Sequence, residues 1–164
     1  FIIANMHWGL EYEQMPSREQ RRLADWLVGQ GVDLVIGCHP HVVQPMELRK
    51  GEDGVPDRLV VYSLGNFISN MSREHTDGGA MVKVVLRRKG LRRYIASAQY
   101  SLVYSSRYVN KWGKEDIRVV PAASWSEKNQ NGSFSVDSAL IKYVKNTRLL
   151  LNGNNKAVDE YVFD

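Results

Sequence analysis

The amino-acid sequence predicts a single α/β domain, and three features carry that prediction. Two short apolar runs, residues 1–6 and 32–36, are nearly continuous and rich in β-branched side chains, which is typical of strands covered on both faces. A helical pattern beginning at Ser17 lies between them. Residues 80–86 and 94–104 alternate with the period of two that marks half-buried strands. A chain of 164 residues, 43% of them hydrophobic, can bury the core of such a domain.

The first helix is predicted to start directly after Ser17. Ser17 and Gln20 have the spacing of a capping box, in which each side chain accepts a hydrogen bond from the other residue's backbone N–H. Gly29 and Gly31 offer positions at which the helix can stop. The apolar face of this helix comprises Leu23, Ala24, Leu27 and Val28.

The strand–helix–strand order brings two groups of histidines together. Strands joined by such a crossover are almost always parallel, so both end at the same edge of the sheet, where open α/β sheets bind ligands. His7 follows the first strand, and Cys38, His39, Pro40 and His41 follow the second. We therefore expect the three imidazoles to converge on one solvent-reachable point.

Beyond these strands the pattern becomes antiparallel. Residues 42–48 and 59–64 flank a turn-rich loop, and residues 117–120 form a further short strand. A second helix is predicted after Ser135, with Gly153 as its stop. Its buried stripe comprises Val136, Leu140, Tyr143 and Val144.

His39-Pro40-His41 is the most specific chemical signal in the chain. Pro40 fixes its own φ and is expected to hold His39 extended. Residues two apart in an extended segment point to the same side, so His39 and His41 could ligate one metal ion or reach two adjacent ones. Two ordinary loop histidines are the alternative, and the predicted convergence with His7 favours metal binding.

Four other residues are candidates for the same site. Glu11 and Glu47 could orient imidazoles through their ring N–H groups, although either is equally well explained as a surface carboxylate. Ser63 and Asn66 belong to the unusual string Ser-Leu-Gly-Asn-Phe and are candidate hydrogen-bonding groups for a substrate. The turn alone would explain the glycine of that string, though not the asparagine.

Composition excludes several classes of function. The net charge of +4, from 22 basic and 18 acidic residues, accompanies no nucleic-acid-binding module, so no nucleic-acid partner is expected. The basic residues around Gly90 fit a solvated hairpin tip, with a patch for a polyanion or lipid head group as the alternative. No P-loop, dinucleotide fingerprint or G-x-S-x-G elbow occurs. The single cysteine, Cys38, rules out an intrachain disulfide.

Several strings resemble, in order and spacing, the CapA family of bacterial capsule and poly-γ-glutamate biosynthesis proteins. The similarity runs from about Ile3 to Phe67, and from Gly79 onward the chain shares only the general character of the family and none of these strings. The strings are His7-Trp8-Gly9-Leu10-Glu11-Tyr12, Gly31-Val32-Asp33-Leu34-Val35-Ile36-Gly37, Cys38-His39-Pro40-His41-Val42, Gln44-Pro45 with Glu47, and Tyr62-Ser63-Leu64-Gly65-Asn66-Phe67.

The resemblance implies a metallophosphatase-like fold, of which residues 1–164 are the C-terminal half. That fold is a four-layer α-β-β-α sandwich with mixed sheets, a single domain whose upstream half is absent here. His7 matches the family's isolated histidine ligand, and His39 and His41 match its terminal H-x-H pair, so all three are implied as metal-binding and catalytic. The two metal ions (zinc, manganese or iron) would lower the pKa of a bridging water and stabilise charge on a phosphoryl or acyl oxygen.

Two departures from the family pattern bear on the metal. Cys38 stands where the family usually has a histidine, and no Gly-Asp or Asn-His pair supplies the upstream ligands. The metal expected in the full-length protein should therefore be absent or incomplete in this chain, which we expect to bind a divalent ion weakly or singly, since three neutral imidazoles cannot balance two dications.

The resemblance implies an extracytoplasmic protein, membrane-associated through an absent N-terminal segment, that works with exopolymer synthesis and export machinery as a metal-dependent hydrolase. A non-catalytic scaffold or binding subunit of that complex is one alternative, and a small-molecule metallophosphoesterase is another. Because the chain opens inside an apolar strand, we also expect it to form a homo-oligomer or to bind the missing upstream half. The face thus buried would contain Ile2, Ile3, Leu34 and Ile36.

Overall fold

The computed structural model describes residues 1–122, 124 and 138–161. Its strands and helices form a mixed α/β structure with two mixed sheets, which confirms the predicted fold class at that level. The elements in chain order are β1 (Ile3–His7), α1 (Arg18–Gly29), β2 (Leu34–Cys38), β3 (Met46–Lys50), β4 (Pro56–Val61), β5 (Gly78–Lys89), β6 (Arg92–Val109), β7 (Glu115–Pro121), α2 (Ser138–Asn154) and β8 (Asp159–Glu160).

The first sheet has the strand order β1-β2-β4-β3. β1 pairs parallel to β2, and β2 pairs parallel to β4, whereas β3 is antiparallel to β4. The predicted parallel strand–helix–strand unit is therefore present, with both strands one or two residues later in the chain than predicted. The parallel pairing of β4 with β2 was not part of the sequence prediction, which had placed the change to antiparallel pairing directly after β2.

The capping box of α1 forms as predicted and also connects the helix to the sheet. The Gln20 backbone N–H donates to Ser17 Oγ at 3.2 Å, and the Ser17 N–H donates to Gln20 Oε1 at 2.9 Å. The same Gln20 side chain donates from Nε2 to Gln44 Oε1 at 2.8 Å, in a buried contact. Gln20 thus stabilises both the helix start and the segment that leads into β3.

The second sheet is built on the antiparallel strands β5, β6 and β7, with β8 pairing parallel to β6. It faces the first sheet across the main hydrophobic core, in which Leu59 and Met46 of the first sheet pack with Leu102 and Tyr100 of the second. Isolated bridges join Val43 to Leu64 and Gly65 to Gly79, so the two sheets are connected where β4 ends.

α2 contributes to the same core, as its predicted stripe requires. Leu140, Tyr143 and Val144 are buried, and the helix ends one residue after Gly153. The predicted cap, Ser135, lies outside the described residues, as does Val136. Neither helix of the described part of the chain is long and apolar enough to cross a membrane.

The first strand is an exposed edge strand, and the prediction that residues 1–6 are buried is wrong. The side chains of Ile2 and Ile3 are 53% and 54% exposed. Among the described residues β1 has a strand neighbour only in β2, so one of its edges and much of its surface face solvent. The sequence leads us to expect that Ile2, Ile3, Leu34 and Ile36 form one face that another chain could bury. Leu34 does not belong to such a face, because it is buried in the main core.

Candidate site at the histidine edge

The ends of β1 and β2 bring His7, Cys38, His39 and His41 together, and we call this group the histidine edge. His7 and Cys38 are register partners at the last position of their strands. The ring centroids of His7 and His39 lie 4.4 Å apart, and those of His39 and His41 lie 6.1 Å apart. The three rings are therefore neighbours on one side of the sheet edge, as the topology argument predicts.

The loop after β2 does not have the predicted backbone conformation. His39 has φ 101° and His41 has φ 61°, so the prediction that Pro40 holds His39 extended is wrong. Hydrogen bonds to the loop outweigh the local preference, since the Tyr12 N–H donates to the Pro40 carbonyl at 2.8 Å and the Leu64 N–H donates to the Gly37 carbonyl at 3.0 Å. Positive φ at non-glycine residues costs free energy and is concentrated at functional sites.

Asn66 fixes the orientation of the His41 ring. Asn66 Nδ2 lies 2.8 Å from the Thr76 carbonyl oxygen, which can only accept, so that end of the amide is the NH₂ group. Asn66 Oδ1 then faces His41 Nδ1 at 3.1 Å and accepts a hydrogen bond from the Nδ1–H group. In the neutral imidazole this leaves the lone pair on Nε2, 3.9 Å from Glu11 Oε1.

Glu11 is thus placed beside an imidazole, whereas two of the other predicted residues face elsewhere. Ser63 is buried, and its Oγ accepts a hydrogen bond from the Gly65 N–H at 3.2 Å. The Glu47 carboxylate lies 2.7 Å from Arg49 Nη2 and 3.0 Å from Lys156 Nζ. No histidine is among the described contacts of Glu47, and both ends of the Asn66 amide are used within the protein.

The cations around Glu47 hold its carboxylate ionised. Burial raises the pKa of Glu47, but hydrogen bonds from Lys156 and Arg49 outweigh burial, so the pKa lies below its ordinary value of 4.5. Arg21 adds a third positive charge at 3.8 Å. We call Glu47, Arg49, Lys156 and Arg21 the Glu47 cluster, and it joins α1, β3 and the segment after α2.

Cys38 lies within the histidine edge as the last residue of β2. Its thiol is exposed, donates to the Met6 carbonyl at 3.4 Å and lies 3.8 Å from His7 Nδ1. A thiolate is a good ligand for zinc or iron, so the residue is chemically compatible with a metal centre.

The side chains of the histidine edge do not by themselves form a complete metal site. The histidine edge contains imidazole and thiol groups, the Glu11 carboxylate lies beside His41, and these are donors that suit zinc, manganese or iron. Within residues 1–122, 124 and 138–161, however, no three His, Cys, Asp or Glu side chains are arranged so that they could hold one ion. A metal centre at this edge would need further ligands.

Sequence reasoning assigned no role to two residues that the structure places beside the histidines. The rings of Tyr12 and His41 are nearly parallel, with an interplanar angle of 26° and centroids 6.0 Å apart. The guanidinium carbon of Arg73 lies 3.9 Å from the centroid of the Tyr12 ring. Tyr12 belongs to the string that follows β1 and could have been suspected, whereas Arg73 lies in a polar loop with no distinguishing local signal.

One open cavity adjoins the histidine edge, and a second lies next to the first. One, of about 660 Å³, is lined by His41 and Asn66 among others. The second, of about 520 Å³, is lined by Arg73. Met71 and Arg107 line both, so the cavities are neighbours on one surface.

Comparison with known proteins identifies similarity in the part of the chain that builds this site. Residues 1–71 match the family of the bacterial capsule synthesis protein PGA_cap. The chain is 34% identical over 93 residues to the PGA biosynthesis protein CapA of Bacillus subtilis (strain 168), a match covering 57% of this chain and 23% of that protein. It is 37% identical over 89 residues to the capsule biosynthesis protein CapA of Bacillus anthracis, covering 54% of this chain and 20% of that protein. The match thus spans about a fifth of these relatives' length.

Proposed function

Because residues 1–71 match the family of the bacterial capsule synthesis protein PGA_cap and the chain is similar to two CapA proteins, we propose that the protein acts in the biosynthesis of a bacterial capsule or of poly-γ-glutamate. The observation that carries the proposal is that the matched segment contains the whole histidine edge together with Asn66. In this proposal the protein is extracytoplasmic and membrane-associated, and it works with the exopolymer synthesis and export machinery. Its two facing sheets belong to a four-layer metallophosphatase-like sandwich.

The same proposal assigns a di-metal, hydrolase-type site to the histidine edge. His7, His39 and His41 supply the imidazole ligands, and the carboxylate ligands come from outside the described residues, whose side chains do not complete a site. The clustered rings, the fixed Nε2 lone pair of His41 and the positive φ values of His39 and His41 support a preorganised site. Zinc, manganese or iron bound there would activate water for hydrolysis.

Replacing His39 tests this assignment in the intact protein. We expect His39→Asn to lower the bound metal and the rate of hydrolysis together, each by about 10- to 100-fold, because an imidazole ligand is lost while asparagine tolerates the positive φ. Metal would be measured by elemental analysis, and hydrolysis with phosphoester and γ-glutamyl amide substrates. His75→Asn is the matched control, since His75 also has positive φ and pairs with Glu74 outside the histidine edge.

A non-catalytic scaffold is the second candidate function, and it is favoured because no three His, Cys, Asp or Glu side chains of the described residues are arranged to hold one ion. If the intact protein held no metal and hydrolysed neither substrate class, the scaffold would replace the hydrolase. Hydrolysis of small phosphoesters alone would instead support a metallophosphoesterase. Hydrolysis that survived the loss of metal in His39→Asn would contradict the metal assignment.

We further propose that residues 1–164 self-associate through β1 or bind the missing upstream half there. Phe1, Ile2 and Ile3 are all exposed on or beside the free edge of this strand, and exposed apolar edge strands recruit other chains. Ile3→Lys should therefore shift the protein from oligomer to monomer in light scattering, because a lysine on an edge strand opposes strand addition. Leu91→Lys is the control, since Leu91 is 92% exposed at the β5–β6 turn. A monomeric unchanged protein would refute the proposal.

A further inference from the structure

Arg73 is a cation with unused hydrogen-bond donors beside the histidine edge. Its side chain is exposed, and its guanidinium lies on the face of the Tyr12 ring, 3.9 Å from the centroid. Within the described residues no carboxylate lies within ion-pair distance of it and no acceptor takes a hydrogen bond from its guanidinium. A guanidinium stacked on an aromatic face keeps the N–H groups around its rim available to a ligand.

The position of Arg73 is set by a stack of three side chains. Tyr12 is held by the hydrogen bond from its backbone N–H to the Pro40 carbonyl, at 2.8 Å, and it has φ 69°. The Tyr12 ring is nearly parallel to that of His41, and His41 is oriented by Asn66. Arg73, Tyr12 and His41 therefore follow one another in space, and a group bound to Arg73 lies next to the histidine edge.

The other cations of the same cavity are already engaged. Lys142 lies 2.9 Å from the Glu74 carboxylate, and Arg107 donates from Nη2 to the Asn70 carbonyl at 2.5 Å. The Lys142 pair also offsets the negative charge that Glu74 brings to the cavity. Among the described residues, Arg73 thus differs from Lys142 and Arg107, which line the same cavity, in having neither an ion pair nor a hydrogen bond from its side chain.

We propose that Arg73 binds an oxyanion of the substrate, either a carboxylate or a phosphate, and so positions the substrate against the histidine edge. The fork of N–H donors on arginine matches both groups in a two-point hydrogen bond. Every unit of a γ-linked glutamyl polymer carries a free α-carboxylate, whereas a phosphoester offers its phosphate. That the bound group belongs to a substrate rests on the proposed function, whereas oxyanion binding at Arg73 does not.

Titration calorimetry on the intact protein with two probes, γ-glutamylglutamate and inorganic phosphate, tests this inference. We expect Arg73→Gln to weaken binding by about tenfold or more, and Arg73→Lys to weaken it less, because lysine keeps the charge but loses the fork and the stack. The control is Arg87→Gln, which removes the same charge near the far end of β5, about 30 Å along that strand from Gly78.

The outcomes distinguish a carboxylate from a phosphate ligand, and they test the Arg73 site separately from the proposed hydrolase function. Loss of dipeptide binding alone assigns a carboxylate, loss of phosphate binding alone assigns a phosphate, and loss of both assigns a shared site. Unchanged binding of both probes by Arg73→Gln, or an equal loss in Arg87→Gln, would overturn the inference. If probe binding depends on Arg73 while the intact protein holds no metal and hydrolyses neither substrate class, the oxyanion site stands and the hydrolase proposal fails.

Discussion

Gly37→Ala should destabilise the protein by more than about 3 kcal/mol, because no space exists for a methyl group at this position in β2. A Cβ on Gly37 would lie 2.0 Å from the Tyr62 carbonyl oxygen and 2.4 Å from Trp8 Nε1. These two atoms form a buried hydrogen bond of 2.8 Å, in which the indole N–H donates to the carbonyl. The methyl group would have to push apart both partners, one of which is backbone.

Gly29→Ala is the matched control for this substitution. Gly29 is the last residue of α1, and nothing lies within 4 Å of a Cβ built there, so alanine should leave stability unchanged or raise it by about 0.5–1 kcal/mol. Urea unfolding of the two variants, followed by tryptophan fluorescence, makes the comparison. Equal unfolding midpoints for both variants would contradict the prediction, because they would show that the backbone around Tyr62 and the Trp8 side chain can move to make room for the methyl group.

Glu47→Gln should cost about 3 kcal/mol of unfolding free energy, because it leaves the cations of the Glu47 cluster without their shared carboxylate. The Glu47 side chain is 6% exposed, whereas that of Lys156 is 67% exposed and can turn to water, which limits the loss. Glu52→Gln removes the same charge from an exposed loop and should change stability by less than about 0.5 kcal/mol. Denaturant unfolding at neutral pH measures both effects.

The dependence of stability on pH provides a second test of the Glu47 cluster. The pKa of Glu47 is lower in the folded protein than its ordinary value of 4.5, so its contribution is fully present above that value. The contribution is lost as the pH falls through the folded pKa, where the carboxylate takes up a proton. The unchanged protein should therefore lose stability more steeply below pH 4.5 than Glu47→Gln does. If the two proteins lost stability equally as the pH fell, the proposed contribution of the Glu47 cluster would be contradicted.

The first half of the fold was predictable because local patterns and connection rules agree there. The capping box at Ser17 and the apolar runs before and after α1 define a parallel unit, and parallel strands bring His7 and His39 to one edge. The alternation in β5 and β6 was equally clear. These are features that a few consecutive residues encode, so the sequence alone carries them.

The features that the sequence did not predict depend on contacts between residues that are distant in the chain. The exposure of Ile3 reflects the place of β1 at the sheet edge, which its apolar composition does not encode. The positive φ of His39 results from hydrogen bonds to other loops, which override the effect of Pro40. Glu47 faces Lys156, 109 positions later in the chain, and no local pattern could have paired them.

The two edge strands of the first sheet differ in whether their outer backbone groups are hydrogen-bonded, so a further strand can be added at only one edge of the described sheet. β3 is closed on its outer side, because the Leu48 N–H donates to the Lys156 carbonyl at 2.9 Å and the Lys156 N–H donates to the Met46 carbonyl at 2.9 Å. β1 has no such cover among the described residues. A strand that joined the sheet would therefore join it beside β1, and a parallel one would end next to His7. Any residue following such a strand would lie beside the histidine edge.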